Sequence, residues 1–181
     1  MQFEKETLQA LGLGDFGLIS TADIVFGDEI RAICAGNACR RYGTTWACPP
    51  AVGTVEECRA RCLQFEHALV FNKYYQLEDS FDWEGMMRAA KEFKLACDRL
   101  QDFIQGKLPR YHLLSNESCS RCEKCTYPDA PCRFPERLMP TVEGYGIYVN
   151  KLAESAGLEY INGPDTVTYF GMVLFGEKEN V

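Results

Sequence analysis

Residues 67–105 read HALVFNKYYQLEDSFDWEGMMRAAKEFKLACDRLQDFIQ, and this stretch predicts a strand followed by a long helix. Within 67–76, Leu69 and Phe71 alternate with Val70, which is the side-chain alternation of a strand. Within 83–105, apolar residues recur every three or four positions, which predicts a helix with one buried stripe. The stripe consists of Met86, Ala90, Phe93, Cys97, Leu100 and Ile104. Because both elements have an apolar face to bury, the pair predicts layered packing.

Three further stretches predict strands. Residues 18–33 are expected to form a hairpin or strand pair that turns at Gly27-Asp28. Residues 111–114 predict a short strand that leads into a cysteine-rich loop. The apolar run 166–175 follows a Gly-Pro turn and predicts a central strand that is buried on both faces.

Two further helices are indicated by capping residues. Thr54 and Glu57 form a capping box, so we expect a helix from there to about Phe65. Thr141 is expected to cap a helix that Gly157 closes. Strands that alternate with helices predict an α+β or α/β fold. We expect a layered sandwich of a mixed sheet with helices, with the cysteine-rich loops at one end.

Composition limits the class of protein. With 181 residues, we expect one domain spanning 1–181, with cysteine loops at about 34–62 and 119–135. The net charge of −7 argues against nucleic acid as a partner. The first residues show neither a basic start nor an apolar run of signal-peptide length, so the ten cysteines predict a cytoplasmic protein with reduced thiols rather than a disulfide framework. No stretch approaches the roughly twenty apolar residues of a membrane span, so we expect no membrane partner.

Four cysteines with the spacing CxxCxxCxxxxxxC form the strongest chemical signal. They are Cys119, Cys122, Cys125 and Cys132, and a proline follows shortly afterwards at position 135. Three thiols at steps of three, with a fourth close behind, are typical of a loop that binds an iron–sulfur cluster, 4Fe-4S being the type we expect. Zinc remains an alternative, although zinc sites usually use two CxxC or CxxH pairs with a longer spacer. Thiols that bind no metal are the third interpretation.

A second cysteine group lies upstream, in a stretch dense in Gly and Pro. It consists of Cys34, Cys39 and Cys48, and the last of these precedes Pro49-Pro50. Its spacing matches no standard ferredoxin pattern, so a four-thiolate site would need another ligand from Cys58, from Cys62 or from the downstream loop. A single shared site is also possible.

The remaining cysteines fall on predicted helices. Cys58 and Cys62 share one helical face, where they could act as ligands or as small core residues. We expect Cys62 to lie in the core, and we keep Cys58 as a candidate cofactor ligand. Cys97 lies within the apolar stripe and is expected to be buried without binding anything.

A series of short motifs lies between Ile30 and Phe175. They are Cys34 with Cys39, Tyr42-Gly43, Trp46, Cys48-Pro49-Pro50, the four-cysteine loop with Tyr127-Pro128, Cys132-Arg133-Phe134-Pro135-Glu136, and Glu143-Gly144-Tyr145-Gly146-Ile147. In this order they resemble an uncharacterised cysteine-rich family of predicted metal-binding proteins from anaerobic archaea and bacteria. The resemblance implies a metal-binding set of seven cysteines that excludes Cys97. The seven are Cys34, Cys39, Cys48, Cys119, Cys122, Cys125 and Cys132.

Three classes of function follow from these patterns. The first is electron transfer, in which one or two iron–sulfur clusters serve a redox partner protein. The second is a cluster-dependent or zinc-dependent enzyme, for which the sequence indicates neither a substrate nor a catalytic residue. The third is a zinc-stabilised structural or interaction module.

Overall fold

The computed structural model describes residues 3–177, and a four-stranded sheet forms its centre. The strands are β1 (Phe16–Ser20), β2 (Phe65–Gln76), β3 (Tyr111–Leu114) and β4 (Thr166–Glu177), in the order β1-β2-β4-β3. Every neighbouring pair is antiparallel. The predicted layered sandwich is confirmed in its α+β form, but its sheet is antiparallel throughout and not mixed as expected.

Within residues 3–177, five α-helices accompany the sheet. They are α1 (Lys5–Ala10), α2 (Asp28–Ala35), α3 (Val55–Cys62), α4 (Trp83–Ile104) and α5 (Val149–Ser155), with short 3-10 helices at Thr21–Asp23, Pro135–Arg137 and Glu143–Tyr145. No helix within residues 3–177 combines the length and the apolar character needed to cross a membrane.

The sheet separates two hydrophobic cores. Val70 of β2 and Met172 of β4 pack into the core beneath α3 and α5, whereas Leu69 and Val173 point into the core beneath α1 and α4. Alternate residues of one strand face opposite sides of a sheet, so β2 and β4 supply both cores. The central, doubly buried position predicted for the last strand is confirmed.

The strand–helix prediction for residues 67–105 is also confirmed. β2 and α4 cover this stretch almost completely, and the predicted stripe of α4 is buried apart from the partly exposed Met86. The short strand β3 and the capping box at Thr54 appear where they were expected. Helix α3 nevertheless ends at Cys62, because Phe65 begins β2.

The predicted hairpin at 18–33 is wrong. β1 ends at Ser20 and pairs with β2, and α2 begins at Asp28, where a turn was expected. Asp28 and Glu29 occupy the first turn of α2, where carboxylates interact favourably with the helix dipole. This local preference favours a helix over a second strand.

The long helix predicted from Thr141 to Gly157 is also wrong. Gly146 adopts a φ of +76°, which interrupts the chain between the 3-10 helix and α5. Thr141 still acts as a local cap, because its Oγ1 accepts a hydrogen bond from the Gly144 amide at 2.9 Å. The apolar spacing extends across this break, so the pattern alone predicted one helix instead of two short ones.

Candidate metal centre

Two cysteine loops lie against each other. The upstream loop (residues 36–54) connects α2 to α3, and the downstream loop (residues 115–134) follows β3. The hydroxyl oxygens of Thr45 and Ser118 lie 3.0 Å apart, and the Trp46 indole donates to the Ala130 carbonyl at 3.1 Å. The Trp46 and Tyr127 rings also pack edge to face, with centroids 4.9 Å apart. These contacts join the two loops into one region of the molecule.

The downstream loop places its four cysteines around one small pocket, the four-cysteine pocket. Cys119, Cys122, Cys125 and Cys132 line a cavity of about 20 Å³, and all four are partly buried. The other lining residues are Trp46, Arg121, Thr126, Arg133, Phe134 and Leu138. The lining also includes two arginines and two aromatic rings, and the cysteine sulfurs are the soft donors in it that could bind a metal.

Arginines hold the downstream loop in place. Arg121 donates from Nε to the Arg137 carbonyl at 2.9 Å and pairs with Asp98 on α4. Arg133 donates from Nη1 to the Lys124 carbonyl at 2.9 Å, which ties the end of the loop to its middle. Because these bonds run from side chain to backbone, they hold the loop in shape where it has no regular secondary structure.

The upstream cysteines line a different and larger pocket, the three-cysteine pocket. Its cavity is about 220 Å³ and is bordered by Cys34, Cys39 and Cys48. The rest of the lining consists of Arg41, Tyr42, Pro49, Glu117, Ser118, Thr141 and Glu143. Ser118 belongs to the downstream loop and precedes Cys119, so the two pockets are adjacent along the chain.

Burial raises the pKa of two of the upstream thiols, those of Cys34 and Cys48. It raises the pKa of Cys34, and the nearby Glu143, Cys48 and Cys39 act in the same direction. Burial also raises the pKa of Cys48, although the hydroxyls of Ser118 and Thr45 oppose that effect. Metal binding requires the thiolate, so a bound cation would have to release protons from these sites.

Three cysteines lie away from both pockets. Cys58, Cys62 and Cys97 are fully buried, the first two in the core beneath α3 and the third in the core beneath α4. Burial raises the pKa of Cys62 and of Cys97 to about 12, which keeps both as neutral thiols. The predicted core positions of Cys62 and Cys97 are confirmed.

Cys58 has an environment that the sequence did not indicate. Its Sγ lies 3.4 Å from the Val52 carbonyl, which accepts its hydrogen bond, and 3.6 Å from Nη2 of Arg31. Arg31 also donates to the Gly53 carbonyl at 2.7 Å. Cys58 thus helps to join α2, α3 and the end of the upstream loop, and it contributes to the lining of neither pocket.

The sulfurs surround their pockets without converging on one atom. Across residues 3–177, no three Cys, His, Asp or Glu side chains are arranged to hold a single metal ion. The two histidines lie elsewhere: His67 is on β2, and His112 on β3 hydrogen-bonds to the Tyr145 hydroxyl.

One buried charged residue near the pockets was missed by the sequence reasoning. Lys94 of α4 is only 8% exposed. The sequence did indicate its burial, because Lys94 lies four residues after Ala90 and three before Cys97, on the apolar stripe itself. A charged residue at such a position is unusual unless it has polar partners.

One family model matches most of the chain. Its description is "Predicted metal-binding protein (DUF2284)", and the match covers residues 17–175. The chain belongs to this family, which confirms the resemblance to a family of predicted metal-binding proteins. No match was found among curated proteins or among solved structures.

Proposed function

We propose that this member of the predicted metal-binding family binds an iron–sulfur cluster in the four-cysteine pocket and transfers electrons to a redox partner protein. One observation carries the proposal: four partly buried cysteines from a single loop line one pocket. Four cysteine thiolates are the usual ligand set of such clusters. The proposed ligands are Cys119, Cys122, Cys125 and Cys132.

The spacing of the cysteines supports a cluster more than zinc. Zinc binds four sulfurs at about 2.3 Å each, so its ligands must converge closely on one point. In a cluster, several iron atoms share the thiolates, so the sulfurs can surround a larger body. Along the chain, three cysteines at successive steps of three with a fourth close behind are typical of a cluster loop, whereas a zinc site usually uses two separated pairs, so the spacing favours the cluster. Zinc remains the alternative that metal analysis would reveal.

The surrounding residues suit an electron carrier. Arg121 and Arg133 line the four-cysteine pocket; Arg121 already pairs with Asp98, so Arg133 is the guanidinium that would offset the negative charge of bound thiolates. Trp46 and Phe134 line the same pocket and would limit the access of water. Charge, hydrogen bonding and solvent exposure are the factors through which a protein sets a cluster's reduction potential. A cytoplasmic, reducing environment would suit the ten free thiols.

The experiment is an anaerobic reductive titration of the purified protein, followed by visible absorption and electron paramagnetic resonance. We expect a brown protein that takes up electrons reversibly, and we expect Cys125→Ser to lose most of the signal from this site. Cys97→Ala is the matched control, because it removes a cysteine from the core and should leave the spectrum unchanged. A colourless protein with stoichiometric zinc would support the structural-module alternative and would contradict the proposal.

The three-cysteine pocket favours a second candidate function, that of a cluster-dependent enzyme. Three cysteines would leave one metal position without a protein thiolate, and the cavity of about 220 Å³ beside them is lined by polar and charged side chains. An open metal position next to a polar cavity could bind a small molecule. We therefore assign Cys34, Cys39 and Cys48 to this second metal site and leave Cys58 out, because it lies outside the lining of the pocket. This candidate requires the three-cysteine pocket to hold its own metal, and the iron content of a Cys48→Ser variant tests that requirement.

A further inference from the structure

Lys94 is a buried cation whose bonding partners are all neutral. Its Nζ donates to Ser115 Oγ at 3.2 Å, to the Asn116 carbonyl at 3.3 Å and to the Glu117 carbonyl at 3.4 Å. Such dipoles satisfy the donors of an ammonium group but do not neutralise its charge.

No carboxylate within residues 3–177 forms an ion pair with Lys94, although Asp98 acts on its charge at longer range. Asp98, one turn further along α4, pairs with Arg121 instead. Burial lowers the pKa of Lys94, because the charged form of the amine is less stable away from water. A buried charge without a counter-ion is strongly unfavourable, so a nearby anion would lower the free energy of the folded protein.

The position of Lys94 indicates where such an anion would lie. The three residues that accept its hydrogen bonds run directly into Ser118 and Cys119, one on the lining of each cysteine pocket. Ser118 in turn contacts Thr45, three residues before Cys48. The groups that act electrostatically on Lys94 are, in decreasing order, Cys97, Cys119, Asp98 and Cys48, and two of them, Cys119 and Cys48, belong to the two sites. The ammonium group therefore lies against the segment 115–117, which leads into residues that line both pockets.

We propose that Lys94 supplies the positive charge that compensates the negative charge of both metal–thiolate sites when they are loaded. The inference rests on the proposed function, because metal bound by several thiolates brings net negative charge to this region. Lys94 is a positioning residue: it acts through the turn 115–118 and through its charge, without touching the metal. Groups of this kind in metal sites change metal affinity by about ten- to a hundredfold when they are replaced.

The test compares Lys94→Met and Lys94→Gln with Lys91→Met in the full-length protein. Lys91 lies one turn away on α4 and is exposed, so its replacement removes the same formal charge from solvent. Gln keeps a donor for the carbonyl groups while it removes the charge. For each variant we would measure the rate of iron release to a chelator, the midpoint potential and the denaturant midpoint of the metal-free protein.

We expect both Lys94 variants to release iron about tenfold faster than the wild type and to shift the midpoint potential to lower values, because the reduced site carries more negative charge. Lys91→Met should stay close to the wild type, since an exposed charge is screened. If Lys94→Gln releases iron at the wild-type rate, Lys94 acts through hydrogen bonding and the inference is overturned. It is also overturned if the faster iron release of the variants matches their loss of stability in the metal-free protein. A wild-type protein without iron would instead contradict the proposed function itself.

Discussion

A hydrogen-bonded chain of Arg61, Tyr145 and His112 lies at the edge of the core beneath α3. Arg61 Nη1 donates to the Tyr145 hydroxyl oxygen at 2.7 Å, and that oxygen lies 2.7 Å from Nε2 of His112. Since the hydroxyl accepts from Arg61, it can donate to a neutral imidazole nitrogen. Burial, with a contribution from the Arg61 charge, lowers the pKa of His112 to about 4. The fold therefore keeps this histidine neutral.

The first prediction concerns how His112 makes stability depend on pH. Between pH 6.5 and about 4 the unfolded chain binds a proton at this residue and the folded chain does not, so stability falls as the pH falls through that window. We expect the loss to be on the order of 2 kcal/mol, because the side chain retains some contact with solvent. Denaturant unfolding of the metal-free protein at several pH values measures it.

The control for this prediction is His112→Gln. The variant should be less stable at neutral pH and should lose less stability on acidification than the wild type, because carboxylates titrate in both proteins and His112 titrates in only one. Parallel pH profiles for the two proteins would show that His112 does not contribute the titration.

At the scale of the elements, the break between the 3-10 helix and α5 depends on Gly146. A Cβ atom at this position would lie 2.8 Å from Val55 Cγ2 and 3.2 Å from the Gly27 carbonyl oxygen. The positive φ also disfavours any residue with a Cβ. Gly146 thus allows the chain to pass close to the first residue of α3 and to the residue that precedes α2.

The second prediction follows from this close approach. Gly146→Ala should lower the free energy of unfolding by about 3 kcal/mol, because it combines backbone strain with overpacking. Gly157→Ala is the matched control: its φ is also positive, at +67°, but a Cβ there would have no atom within 4 Å. We expect about 1 kcal/mol for the control. Equal losses in the two variants, measured by denaturant unfolding, would mean that the contact with Val55 is unimportant.

Across the whole molecule, the sequence predicted the helices and strands that have a long apolar pattern. It did not predict the segments that connect them. β2, α4 and β4 each bury a long apolar pattern, so their sequences alone indicated their type and their buried faces. Residues 18–33 and 141–157 were misassigned because a few local groups, the acidic first turn of α2 and Gly146, outweigh the apolar pattern there.

The candidate site shows the same contrast. The spacing of the cysteines along the chain predicted which of them group together. Helical periodicity predicted the buried positions of Cys62 and Cys97. The contact between the loops depends on tertiary contacts such as Trp46 with Ala130, which local sequence does not encode. The burial of Lys94 likewise depends on the turn 115–118, which lies more than twenty residues away.

Iron and acid-labile sulfide counted per chain test both the cluster proposed for the four-cysteine pocket and the second candidate site in the three-cysteine pocket. The measurement compares the anaerobically purified wild type with Cys48→Ser, with Cys125→Ser and with the double variant that carries both changes. We predict comparable amounts of iron and sulfide in the wild type, a partial loss in each single variant and a nearly complete loss in the double variant. Unchanged iron in Cys48→Ser would leave only the downstream site. A wild type that contains zinc without sulfide would contradict the proposed function.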